Sequence, residues 1–170
     1  MAAILQNDAG TVEDANAYID FSYLRLYATQ RGVLLTQLDP ALDIACIKAT
    51  EYMDFRWFYN GEPRVRSQTT QFPRQYLEDR YGNDVNVLPA IIQKVCAEYA
   101  LIYLTQGHLV ANPERDGTGI AVLQRTEKVG PISESTLYKG GGFEMPKYPA
   151  PDRMINATGF VQPNGSFQRG

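Results

Sequence analysis

The stretch Leu88–Gly107, LPAIIQKVCAEYALIYLTQG, decides the fold class. Ile91, Ile92, Val95, Cys96, Tyr99, Ala100, Ile102 and Tyr103 recur at three- and four-residue spacings, the period of an α-helix. They cover much of the circumference, so this helix is expected to be enclosed on several sides and to sit at the centre of a core. It should start near Pro89 and run to about Gln106, with Gly107 supplying the left-handed residue that closes it. Upstream, Asp39 reads as an N-cap and Pro40 as the first helical residue. Leu42, Cys46, Ala49, Met53 and Trp57 then form one stripe, widened by Ile44, Ala45 and Tyr52. So wide a stripe predicts contacts on more than one side. A further helix is expected from Phe21 to about Arg31, capped by Asp20, with Phe21, Leu24, Tyr27 and Ala28 on one face and Gly32 past its end.

The remaining segments read differently. Residues 58–87 hold Gly61, Pro63, Pro73 and Gly82 among Arg, Gln, Asn and Asp, which predicts a long connection. Loops of that length are usually functional or bound against something. Asn112–Gly119 is turn-rich, and Ala121–Val129 and Ile132–Tyr138 look extended across a break at Gly130-Pro131. Gly140-Gly141-Gly142 reads as a hinge. The fold class expected is therefore mainly α. About three main helices form a small bundle, with a long middle loop, a short β-like extended segment and an extended C-terminal arm. Residues 1–139 would be the helical domain and 140–170 the Gly/Pro-rich arm. Asp152–Thr158 can form a short helix within it. The arm's composition cannot support a core of its own. Its Tyr148, Met154, Ile155, Phe160 and Phe167 then read as apolar anchors for a partner, with Arg169 beside them.

Hydrophobic residues make up 44% of the 170 and charged residues 21%, enough for a packed soluble domain. The net charge is −3 and the pI about 5.2, which argues against a general nucleic-acid binder. A local basic patch stays open, since Arg56, Arg64, Arg66, Arg74 and Arg80 fall in one stretch. Cys46 and Cys96 lie within apolar helical patterns and read as buried free thiols. No apolar run approaches the length of a membrane span, and the N-terminus does not read as a signal peptide.

No residue set reads as catalytic, metal-binding or cofactor-binding. His108 is the single histidine, so it has no histidine partner for a metal or proton-relay site. The carboxylate pairs Glu13/Asp14 and Glu78/Asp79 fall on loops, where such pairs are usually solvated. Gly140–Gly142 lacks the Lys-Ser/Thr of a phosphate loop. The chain is therefore expected not to be an enzyme. One stretch carries a binding signal: Phe55-Arg56-Trp57-Phe58-Tyr59, Arg64-Val65-Arg66 and Phe72-Pro73-Arg74-Gln75-Tyr76. Three readings compete for it. A protein interface, with Arg56, Trp57, Arg64, Arg66, Phe72 and Arg74 as contacts, is one, since Arg and aromatic residues are enriched there; the acidic overall charge, with the family resemblance that follows, ranks it first. Core aromatics beside a solvated loop come second, and base stacking with phosphate neutralisation third.

Five pieces recur at family-like spacing: Ala15-Asn16-Ala17-Tyr18, Arg31-Gly32, Ala49-Thr50-Glu51-Tyr52-Met53-Asp54, Phe72-Pro73-Arg74 and Glu127-Lys128-Val129-Gly130-Pro131. In this order, over roughly residues 10–140, the chain resembles a family of small tailed-phage neck proteins, the head-completion or head-to-tail adaptor subunits. Many members are also labelled DnaT-like single-stranded DNA-binding. The resemblance implies a ring, typically of twelve, below the portal of the capsid. That ring extends the DNA channel and gives the tail a docking site. It implies as partners the portal protein and a tail or other neck protein, with DNA passing through the lumen without specific binding. It places the protein in the virion neck, after assembly in the bacterial host cytoplasm. It also implies a C-terminal arm that inserts at the portal, here the residues beyond Gly142. Two alternatives stand beside it: a single-stranded DNA-binding module, and a neck stopper or tail-terminator ring protein.

Overall fold

A computed structural model of the protein describes residues 2–110, 124–129, 132–137 and 147–162. The fold is mainly helical. Four helices are present among the described residues: α1 (Phe21–Thr29), α2 (Asp39–Arg56), α3 (Ala90–Gln106) and α4 (Pro149–Asn156). The chain divides into two compact units, residues 1–109 with 147–170, and residues 110–146.

In the first unit α3 is the central element and packs against α1, α2 and α4. Its Ile92, Val95, Cys96, Ala97, Tyr99 and Ala100 are completely buried. They face an α2 whose Leu42, Ala45, Cys46, Ala49 and Met53 are equally enclosed. Alanines on both helices leave room for close approach, and Thr50 Oγ1 meets Cys96 Sγ at 3.4 Å. Each large apolar side chain buried here contributes about 1.5–3 kcal/mol. Both cysteines are free and buried, as their apolar settings predict. Burial pushes the Cys96 thiol up to about 12, so it stays protonated and unreactive.

The helix ends follow the sequence in two cases and depart in one. Asp20 caps α1 by accepting from the Tyr23 N–H at 2.8 Å, and Gly107 closes α3 with a φ of 78°. Asp39 is not the cap of α2. The helix already includes it, Leu38 holds the cap position, and Asp39 instead accepts from Arg25 at 2.7 Å. The same Arg25 guanidinium donates to the Leu35 and Gln37 carbonyls, which ties the α1–α2 connection onto α1. No helix among the described residues is long and apolar enough to cross a membrane.

The C-terminal segment corrects an expectation. Residues 147–162 are not an arm. They fold onto the helical unit, and the boundary expected at residue 140 is not where the fold divides. Tyr148, Ile155 and Phe160 are buried, Val161 with them, and Met154 is half-buried. The Tyr148 ring lies 5.7 Å from that of Tyr52 and 6.0 Å from that of Tyr99. Asp152 accepts from Arg56 Nη2 at 2.7 Å, from the Tyr99 hydroxyl at 2.5 Å and from the Tyr148 N–H at 3.1 Å. Proline and glycine content shows that a segment cannot build its own core. It does not show that the segment has no seat on another. Phe167 and Arg169 lie outside the described residues.

In the second unit β3 (Gln124–Val129) and β4 (Ile132–Leu137) pair antiparallel, from Gln124↔Leu137 to Val129↔Ile132. The extended reading holds over those residues. Asn112–Gly119, Ala121–Leu123, Tyr138 and Gly140–Gly142 lie outside the described ones.

Candidate interaction surface

Residues of three of the motifs, Ala15–Tyr18, Ala49–Asp54 and Phe72–Arg74, meet inside the first unit. Tyr18 is buried, takes a hydrogen bond from the Phe72 N–H at 3.2 Å and donates its hydroxyl to Asp54 at 2.5 Å. Thr50 Oγ1 accepts from the Tyr18 N–H, and the other Asp54 oxygen accepts from the Gln71 N–H at 3.1 Å. Phe72 is fully buried, edge-on to Tyr18 at 6.1 Å and to Tyr59 at 4.9 Å. Arg74 is only 5% exposed. Its guanidinium donates to the carbonyls of Asn60 and Gly61 at 2.7 Å each, to that of Gln71 at 3.1 Å and to that of Tyr59 at 3.4 Å. So Tyr18, Thr50, Asp54, Phe72 and Arg74 form one internal brace. It fixes residues 58–76, including the short ladder of β1 (Glu62–Pro63) with β2 (Arg74–Gln75), against the helices.

Desolvation in this brace pushes the Asp54 carboxyl up to about 7, against the pull of Tyr18, Gln71 and Arg74. A carboxyl with a folded pKa above its unfolded one binds more protons when folded. Its contribution to stability is full below about pH 4 and is lost as pH rises to about 7. Melting temperature should therefore be several degrees lower at about pH 8 than at about pH 5. Asp54→Asn should flatten that slope, and a wild-type curve already flat over this range contradicts the assignment.

The brace rearranges the binding signal read from the sequence. Of the six expected contact residues, Arg74, Phe72 and Trp57 are buried, and the Arg56 side chain is 9% exposed beneath Asp152. They are corrected from contacts to structural residues: guanidinium groups that bind internal carbonyls and carboxylates cannot also meet a partner. Arg64 and Arg66 are exposed, although Arg64 Nη1 is committed to the Asn86 carbonyl.

What faces outward is four aromatic rings, three of which, Phe55, Phe58 and Tyr76, lie in the stretch that carries the binding signal. Phe55 is 82% exposed, Phe58 73%, Tyr76 78% and Tyr81 76%. Their backbone is firmly held. Phe58 accepts from the Gln162 N–H, Asn60 donates to Phe160, and Arg80 donates to Thr158, each at 2.8–2.9 Å. Gly61 has a φ of 69°, and a Cβ there would sit 2.5 Å from the Gln75 carbonyl, so this crossing requires glycine. Tyr76 itself holds a φ of 55°, uncommon for a residue with a side chain. Arg80 lies over the Tyr81 ring at 5.0 Å. His108 is exposed and isolated from these rings in sequence.

The family described as "Putative DnaT-like ssDNA binding protein" matches residues 1–168. The chain belongs to that family. No curated protein and no solved structure matches it.

Proposed function

We propose that this protein is a non-catalytic structural subunit of a tailed-phage neck, a head-to-tail adaptor that joins a ring beneath the portal and offers the tail its docking site. One observation carries the reading: four large aromatic side chains point outward from a backbone that the motif residues brace from within. Large exposed rings on a braced backbone have the chemistry of a contact with a protein partner. The net charge of −3 favours the same role, since a channel subunit should not hold DNA that must leave. Portal attachment falls to surfaces other than Tyr148, Ile155 and Phe160, which are buried in their own subunit. The test is co-sedimentation with the cognate portal. Stoichiometric binding into rings is expected, and failure to join the portal at any protein concentration overturns the reading.

The family's description supports a second reading, single-stranded DNA binding. Exposed Arg64, Arg66 and Arg80 beside Tyr76, Tyr81 and Phe58 have the chemistry of a stacking groove. Fluorescence anisotropy with an oligonucleotide near physiological salt separates the two. Weak binding, above micromolar, is expected. Submicromolar affinity that falls steeply with salt and is lost in Arg64→Ala/Arg66→Ala would promote this second reading over the first.

A further inference from the structure

The chain holds two Asn-Gly pairs, Asn60-Gly61 and Asn164-Gly165. This dipeptide loses ammonia spontaneously more readily than others, because glycine puts no side chain in the way of ring closure. Asn164-Gly165 lies outside the described residues. Asn60-Gly61 sits where the C-terminal segment meets the brace, and the groups on either side of the reacting bond are held. The Asn60 N–H donates to the Phe160 carbonyl at 2.8 Å, and its side-chain Nδ2 donates to the Gly159 carbonyl at 2.9 Å. The Asn60 carbonyl accepts from Arg74 Nε and the Gly61 carbonyl from Arg74 Nη2, each at 2.7 Å. The Gly159 backbone is itself pinned: a Cβ there would stand 2.9 Å from the Arg80 nitrogen.

We propose that Asn60 is a latent deamidation site, closed while residues 158–162 are seated and open when they leave, so that its conversion to aspartate or isoaspartate fixes the detached state. The Gly61 amide nitrogen, having given its proton to solvent base, attacks Asn60 Cγ. The new N–Cγ bond closes a cyclic imide, the Cγ–Nδ2 bond breaks, and Nδ2 takes a proton from water and leaves as ammonia. Water then opens the imide. Addition at Cγ returns the nitrogen to the main chain and gives aspartate; addition at the Asn60 main-chain carbonyl carbon gives isoaspartate. Water is the only co-reactant. Attack requires Nδ2 to leave the Gly159 carbonyl and the peptide to turn away from Phe160 and Arg74. Cyclisation therefore proceeds from locally opened molecules, at a rate scaled by their fraction. The products do not fit the closed state. Aspartate sets an acceptor against the part-buried Gly159 carbonyl, where the amide had donated. Isoaspartate lengthens the main chain at a crossing where even a Cβ on Gly61 would stand 2.5 Å from the Gln75 carbonyl. The inference is independent of the adaptor and DNA-binding readings.

Peptide mapping of the full chain, incubated at mildly alkaline pH with and without urea, tests it. Trypsin releases Asn60 in the peptide Trp57–Arg64, apart from Asn164, so its change from amide to acid is read by itself. In the folded protein Asn60 should deamidate at least about a hundredfold more slowly than in urea. Gly159→Ala, which forces the segment away from Arg80, should raise the folded rate at least about tenfold while helical circular dichroism is retained. Hydrogen exchange of the wild type gives a readout that needs no variant to fold. Protection of the Asn60 and Gln162 amides, which donate to Phe160 and Phe58, should match the slowing of deamidation within about tenfold. Asn60→Asp, the product itself, should melt below the wild type and lose protection at Gln162. Deamidation as fast in the folded chain as in urea, or slowing unrelated to the exchange protection, overturns the gate. A folded Gly159→Ala that deamidates at the wild-type rate shows that residues 158–162 are not the guard. An Asn60→Asp chain with unchanged melting and protection overturns the claim that the reaction fixes the detached state.

Discussion

Deleting residues 147–170 is expected to unfold the helical unit. The segment supplies the buried Tyr148, Ile155, Phe160 and Val161. At about 1.5–3 kcal/mol for each large side chain, their loss costs roughly 6–12 kcal/mol. Domains of this size are stable by about 5–15 kcal/mol in all, so little or nothing would remain. The deletion also strips Asp152 from Arg56, whose side chain is 9% exposed. Leaving one half of a buried ion pair costs about 3–5 kcal/mol. Asp152→Ala alone should therefore lower the melting temperature by roughly 10 °C. Circular dichroism of the truncated chain should show reduced helicity and no sharp transition. A truncated chain that keeps its helicity and melts within a few degrees of the wild type would restore the detached-arm reading.

That outcome bears on what the sequence made legible. Helical periodicity placed α3 within a residue at each end, because Ile92, Val95, Cys96, Tyr99 and Ala100 are buried on the faces their spacing predicts. Glycine chemistry marked the end of α3, and the Asp20 side chain marked the start of α1. Contacts between segments distant in sequence were not legible. Nothing local in residues 148–161 shows that Tyr99 and Arg56, some fifty and a hundred residues away, converge on Asp152. The surface inverted for the same reason. Arg56, Trp57, Phe72 and Arg74 have the composition of an interface, yet that composition also suits a buried brace. Only the positions of the accepting carbonyls and carboxylate decide between them. The residues left outside, Phe58 and Tyr76, each adjoin a buried neighbour, and the sequence alone did not say which of the two would turn inward.

Arg74→Ala carries the second large effect, and separates the two uses of that arginine. In the structure the side chain makes five hydrogen bonds, four of them to the carbonyls of Tyr59, Asn60, Gly61 and Gln71 and one to Gln71 Oε1 at 2.8 Å. Hydrogen bonds to a charged group are worth about 1.5–3 kcal/mol each, although they are far from additive, and truncation leaves the carbonyls beneath the loop without a donor. A loss of about 3–5 kcal/mol is expected, or a fall of roughly 10 °C in melting temperature. Arg74→Lys should recover little of it. An ammonium on a flexible stem has no planar fork to reach both the Tyr59–Gly61 carbonyls that precede β1 and the Gln71 carbonyl that precedes β2. Proteolysis should then open first within residues 58–76, while α2 and α3 stay protected. The exposed Arg66→Ala serves as the control and should leave the melting temperature unchanged. If Arg74→Ala also melts like the wild type but weakens oligonucleotide binding, the guanidinium faces solvent and phosphate. The brace would then be wrong and the DNA-binding reading would gain its missing cation. If it melts early and oligonucleotide affinity stays low in both proteins, Arg74 serves the fold, and the partner-facing chemistry belongs to the rings it holds in place.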